Sequence, residues 1–168
     1  MNTAMMESYM KLALRQAEQA YEDGETPTGC IIIRSVKEDD IVKHSLVGKA
    51  YNQVEKLKDP TAHAEILAIT QAASAIGDWR LTGCTLFVTK EPCAMCAGAI
   101  ILARIPTVVF GVKDPKRGGD SVFSILNHKN LNHRCEVHSG ILEEECKILL
   151  QEFFRERRKS TEKSSESY

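Results

Sequence analysis

Two short runs rich in β-branched residues, Cys84 to Thr89 and Thr107 to Val112, flank a stretch with helical character, Cys93 to Ala103. Nothing else in the chain limits the fold as tightly, because strands that alternate with helices hide their apolar faces by forming a sheet with helices on both sides. Upstream, Cys30 to Arg34 and Ile41 to Leu46 flank the charged stretch Lys37-Glu38-Asp39-Asp40. That pattern predicts two antiparallel strands joined by a solvated turn. Tyr9, Leu12, Ala13, Ala17 and Ala20 recur at helical spacing, so Met6 to Tyr21 reads as an amphipathic helix stopped by Asp23-Gly24. Lys58-Asp59-Pro60 breaks the chain before a second helix from Thr61 to Ile76, and a last helix is expected from about Leu142 to Arg158. The expectation is an α/β layered fold with a mixed sheet.

A length of 168 residues suits one ordinary domain. That domain is expected to span residues 1–158, followed by a disordered tail from Lys159 to Tyr168, where Ser, Lys and Glu dominate. The greasiest run, Ala97 to Ala103, is followed at once by Arg104, so no membrane span is expected. Glu7, Lys11 and Arg15 interrupt the first fifteen residues and argue against a secretory signal, which points to a cytoplasmic protein with reduced cysteines. The formal net charge of -1 gives no global basic field, so a nucleic acid would have to be held by local patches. Two patches qualify: Lys113-Asp114-Pro115-Lys116-Arg117 and Arg155-Glu156-Arg157-Arg158-Lys159. The second is also what the dipole of a helix C-terminus favours on its own.

Chemistry concentrates in two segments, His63-Ala64-Glu65 and Pro92-Cys93-Ala94-Met95-Cys96, each at the start of an expected helix. With Pro92 at the first helical position, Cys93 and Cys96 would share a face in the first turn, where unpaired N–H groups favour thiolate. His63, Cys93 and Cys96 then make three zinc ligands. Three leave the fourth tetrahedral position to water, as in catalytic rather than structural sites, and zinc lowers the pKa of that water to about 7. Glu65 is the candidate proton carrier. Residues i and i+2 diverge on a regular helix, so the second helix is expected to aim end-on at the metal. Taken singly, a Cys-x-x-Cys reads equally as a redox pair, and a first-turn Glu as a dipole partner. Together, His-x-Glu and Pro-Cys-x-x-Cys are identified as the signature of the zinc nucleobase deaminases.

The sequence resembles the bacterial tRNA-specific adenosine deaminases of the cytidine/deoxycytidylate deaminase superfamily. The likeness rests on Pro27-Thr28-Gly29-Cys30, Asp59 to Glu65, Trp79-Arg80-Leu81, Glu91 to Ala99, Asn132-His133-Arg134 and Phe153-Phe154. It implies a cytidine-deaminase-like three-layer α/β/α sandwich with a mixed five-stranded sheet, one zinc ion per subunit, and a homodimer acting on the wobble adenosine of a tRNA anticodon stem-loop. It also implies that Asn52, with the backbone near Gly29 and Ala64, holds the flipped base; the two basic patches offer Asp114, Lys116 and Arg158 as RNA contacts, and of Phe153 and Phe154, at least one of which is expected in the core, Phe154 is the candidate to stack on a base. The other reading is a deaminase of a free nucleobase or nucleotide of the cytosine or guanine type. Thr28, Cys30 and Lys90 depart from the family's usual small or apolar residues, the Gly118 to Ser121 loop is shorter, and the hairpin around Lys37 to Asp40 is longer. His44, His128, His133, His138, Cys30, Cys84, Cys135 and Cys146 lack paired ligand spacing and are expected to serve the surface or the core.

Overall fold

The computed structural model describes residues 1–165, with side chains described through Ser160. In chain order the elements are α1 (Thr3–Glu22), β1 (Gly29–Glu38), β2 (Ile41–Tyr51), α2 (Val54–Leu57), α3 (Ala64–Ile76), β3 (Cys84–Lys90), α4 (Ala94–Leu102), β4 (Thr107–Val112), β5 (Glu136–Ser139) and α5 (Glu143–Ser165). The five strands form one mixed sheet in the order β2-β1-β3-β4-β5. β1 runs antiparallel to β2 and β3, while β3, β4 and β5 are parallel.

Alternation along the strands sorts the core into two layers. Ile31 and Ile33 of β1, Phe87 of β3 and Val109 of β4 face Met6, Met10 and Ala13 of α1 and Cys146 of α5. Cys30, Ile32, Leu86, Val88, Val108 and Phe110 face the opposite way, onto Ala64, Ala68 and Ala72 of α3 and Ala97, Ile100 and Ile101 of α4. Strands covered on both sides are apolar throughout, which is why β3 and β4 stand out in the sequence. Small residues set how closely the layers approach. A Cβ on Gly48 of β2 would lie 2.5 Å from the carbonyl oxygen of Ala68, and one on Gly29 would run into the α1 backbone at Ala13 and Ala17. The result is the three-layer α/β/α sandwich with a mixed five-stranded sheet.

Several boundaries differ from those read in the sequence. α3 starts at Ala64, not Thr61, because Asp59 Oδ1 accepts from Thr61 N (2.8 Å) and Thr61 Oγ1 (2.7 Å) and holds the preceding residues in a turn. α4 starts at Ala94, so Pro92 lies before the cap instead of at the first helical position, and Cys93 is the N-cap. The hairpin turn shrinks to Asp39-Asp40, both at positive φ. β5 and α2, four residues each, have no counterpart in the sequence reading. The disordered tail expected from Lys159 is instead helical through Ser165, and residues 166–168 lie outside the described residues. No Gly or Pro interrupts 143–165, and Ser160 Oγ donates back to Glu156 O, so the last helix has no local stop. Among the described residues, no helix is long and apolar enough to cross a membrane.

Candidate active site

β3 delivers the chain to α4 and β1 begins beside the end of β3, so the C-terminal edge of β3 and β4 gathers loops from both halves of the sequence. α3 and α4, packed on the same face of the sheet, bring their N-termini there. His63 is the N-cap of α3 and Cys93 the N-cap of α4, both with extended backbone and no side-chain capping bond. Their side chains are therefore free to turn toward each other. His63 Nδ1 lies 3.7 Å from Cys93 Sγ and 3.5 Å from Cys96 Sγ, and the three atoms all fall within 4.8 Å of one another. A tetrahedral zinc with Zn–S of about 2.3 Å and Zn–N of about 2.0 Å sets its N and S ligands roughly 3.6 Å apart. The donor set and its spacing thus fit that ion.

Glu65, two residues past the cap, is 3% exposed and lines a cleft of about 570 Å³ together with His63 and Cys93. This arrangement resolves the divergence expected of residues two apart. His63 lies outside the helix, and Glu65 reaches the same space from its first turn, so the helix does aim end-on. The cleft is also lined by Thr26, Thr28, Asn52, Val54 and two acids, Glu25 and Glu55. It further carries Lys90, Lys116, Arg117 and Arg157, the acids Glu91 and Asp114, and the half-exposed Phe154.

The profile of the MafB19-like deaminases matches residues 5–158. The chain is 45% identical over 154 residues to the tRNA-specific adenosine deaminase of Bacillus subtilis (strain 168), covering 91% of each protein. It is 49% identical over 153 residues to that of Aquifex aeolicus (strain VF5), covering 90% of this chain and 95% of the relative. The chain belongs to the tRNA-specific adenosine deaminase family. A solved structure from a study of A-to-I editing by tRNA:A34 deaminases at the wobble position of transfer RNA superimposes with a TM-score of 0.76, at 38% identity, over 85% of this chain and 99% of that one.

Electrostatics in the deaminase site follow from burial and from the shared protons of the trio. Burial pushes the Glu65 carboxyl above the ordinary carboxylate value, with the nearby His63 opposing. The Cys96 thiol donates toward Cys93, and with His63 it brings the Cys93 thiol down to about 3. Cys96, holding the shared proton against that thiolate, moves far up. The hydrogen bond to Cys93 raises His63, with burial opposing. Without metal the trio is therefore one thiolate, one thiol and an imidazole inclined to be charged.

The remaining predicted positions divide. Asn52 lines the cleft, and its Nδ2 donates to Glu25 Oε2 at 3.1 Å. Asp114 and Lys116 line it as well. Asp114 Oδ1 accepts from Lys116 N (3.0 Å) and Arg117 N (3.1 Å), and Oδ2 pairs with Lys90 Nζ at 2.6 Å. Burial alone would raise Asp114, but the ammonium and the two N–H groups outweigh it and hold the carboxyl below its ordinary value. Phe154 is on the rim while Phe153 is core. Arg158 is absent from the cleft and borders a separate groove along α5, whereas Arg157 takes the cleft position. Those two residues fall about 100° apart on the helix, and Phe154 sits between them. Gly29 and Ala64 do not line the cleft. Gly29 N donates to Thr89 Oγ1 at 3.1 Å, and Ala64 is fully buried in the first turn of α3.

Sequence reasoning missed Glu25 and Glu91, and within the second basic patch it singled out Arg158 where Arg157 lines the cleft. Glu25 accepts from Asn52 Nδ2, Glu55 N and Lys56 N. Glu91 accepts from Asp114 N, Asp120 N, Ser121 N and Ser121 Oγ, and so fixes the loop that carries Lys116 and Arg117. Its position beside Pro92 was the one available signal, since a carboxylate preceding a ligand-bearing cap is placed to organise it.

Proposed function

We propose that this chain hydrolytically deaminates adenosine to inosine at the wobble position of tRNA, using one zinc ion held by His63, Cys93 and Cys96. The observation that carries the reading is the meeting of that trio with a buried carboxylate, Glu65, in one cleft of a chain whose relatives are tRNA-specific adenosine deaminases. The bound ion would supply Lewis-acid activation of water. Glu65 would take a proton from the attacking water, pass it to the ring nitrogen and later help protonate the departing amine. A C–O bond forms at the amino-bearing ring carbon, the C–N bond breaks, and ammonia leaves. Asn52, oriented by Glu25, would hold the base, and the cations Lys116, Arg117 and Arg157 would take the phosphates.

The unit carrying this activity is one domain over residues 1–158, supported by the extent of the family match. A homodimer in the cytoplasm completes the reading. α4 supports the dimer, because Met95, Gly98 and Leu102 give it an outward face without charge, on which Leu102 is 73% exposed.

The test is to incubate the zinc-loaded protein with anticodon stem-loops bearing a wobble adenosine, and separately with free adenine, cytosine and guanine. Inosine should form in the stem-loop, with no comparable ammonia release from the free bases. The reverse ranking would replace this reading by a free-base deaminase. Glu65→Ala should abolish turnover yet leave zinc bound, and activity surviving that change would remove Glu65 from the proton path.

A further inference from the structure

We propose that Lys90 is a phosphate-binding residue of the cleft, its ammonium taking a backbone phosphate of the RNA beside the nucleotide being deaminated. This rests on the reading of the chain as an RNA adenosine deaminase. Lys90 is the last residue of β3, three positions before Cys93, and lines the same cleft as His63 and Glu65. Its side chain is one third exposed, and its only ion pair among the described residues is with Asp114 Oδ2, at 2.6 Å. An ammonium has three donors, so one partner leaves two free to meet a ligand.

Support beneath that ammonium is rigid. The other oxygen of Asp114 accepts from two backbone N–H groups, and Asp114 N donates to the buried Glu91 carboxylate at 2.8 Å. Gly119 N in turn donates to Pro92 O at 2.7 Å, which ties the loop to the entrance of α4. A flexible lysine normally gives up rotamer freedom on meeting a phosphate, but here much of that loss has already occurred on folding. Asp114 Oδ1 is served by the two N–H groups and Oδ2 by Lys90, so one carboxylate oxygen holds the ammonium in place while its remaining donors are open to the cleft. Asp114 offsets the charge of Lys90 and fixes where its ammonium stands, at the lining of the cleft. Lys116, Arg117 and Arg157 line the same cleft, and they add positive charge near a site that also carries the acids Glu25, Glu55, Glu91 and Asp114.

The experiment measures kcat and KM of the zinc-loaded enzyme on an anticodon stem-loop between about 50 and 200 mM salt, for the wild type, Lys90→Met and Lys90→Arg. Loss of one phosphate contact to a single strand should make the slope of log(kcat/KM) against log salt shallower by about 0.7. Lys90→Met should accordingly raise KM about threefold to tenfold at low salt, with kcat changed less than twofold, and Lys90→Arg should restore the slope. Replacing the linkage 5′ or 3′ of the adenosine by a neutral methylphosphonate should, at one of the two positions, produce the same loss in the wild type and no further loss in Lys90→Met. Should the methionine variant fail to fold, Lys90→Gln removes the same charge and is read the same way. An unchanged slope, or an equal loss at every salt concentration, overturns the proposal and leaves Lys90 as a prop for Asp114. Absence of inosine in the wild-type reaction would instead sink the functional reading itself.

Discussion

Glu91 accepts four hydrogen bonds, from Asp114 N, Asp120 N, Ser121 N and Ser121 Oγ, at 2.7 to 3.2 Å, and is 3% exposed. A carboxylate can accept at both oxygens, whereas the amide of Gln turns one of them into a donor facing an N–H group. Glu91→Gln should therefore destabilise the fold by about 1 to 3 kcal/mol. A urea midpoint within error of the wild type would contradict that account. The trio obeys a different logic, because its protons must leave before a metal can bind. With His63 raised by its bond to Cys93, and Cys96 retaining the proton that the Cys93 thiolate lacks, zinc binding below the imidazole's raised pKa expels about two protons and above it about one. Zinc affinity should then rise with pH, more steeply on the acid side. Competition with a chromophoric chelator between about pH 6 and 8 measures it, and a pH-independent affinity would refute the proton assignment. The residue types in the trio were legible in the sequence because metal ligands are rare and their spacing is short. Glu25 and Glu91 were not, since the hydrogen bonds that define them come from residues more than twenty positions away.

β3 and β4 could be bounded in the sequence almost to the residue, because both faces of each strand are covered and the run of apolar residues is continuous. α3 and α4 could be found but not bounded. The candidate ligands His63 and Cys93 stand at the N-cap with extended backbone, and a capping position carries no periodicity. β5, with its polar Glu136-Val137-His138-Ser139, and α2 offer too few residues for any period to register. The hairpin was legible as a pair of strands, yet its turn was overestimated because Lys37 and Glu38 are charged and still pair with Val42 and Ile41. That turn also makes a prediction. Asp39 (φ 48°) and Asp40 (φ 65°) both occupy the left-handed region, which two-residue hairpin turns require and glycine adopts without penalty. Asp40→Gly should raise stability by about 1 kcal/mol, offset in part by the greater freedom of the unfolded chain. The turn lies outside the cleft lining, so kcat/KM on the stem-loop should be unaffected. A lower urea midpoint would show that the turn is held by its aspartates rather than strained by them.

The molecule as a whole is two apolar layers on one sheet, with the trio that could hold a metal at the edge of only one of them. α1 and α5 close the layer that contributes none of the trio, and they hold their side of β1, β3 and β4 through Met6, Met10, Phe87 and Val109. α3 and α4 differ, because His63 and Cys93 stand where their N-termini meet, and a bound ion would bridge one helix to the other. Metal removal should consequently lower the melting temperature without unfolding the chain. If zinc is present at about a thousandfold over its dissociation constant, the linkage is worth about 4 kcal/mol. For a chain of this length each kcal/mol shifts the midpoint by roughly 2 to 4 °C, so chelation should lower it by about 8 to 16 °C. The far-ultraviolet circular dichroism should persist, since both apolar layers remain. Hydrogen exchange should quicken at the first turns of α3 and α4, and much less in α1 and in the centre of β1. Collapse of the whole spectrum on chelation would mean that the ion is needed for the sheet itself, and the division of the core into two independent layers would then be wrong.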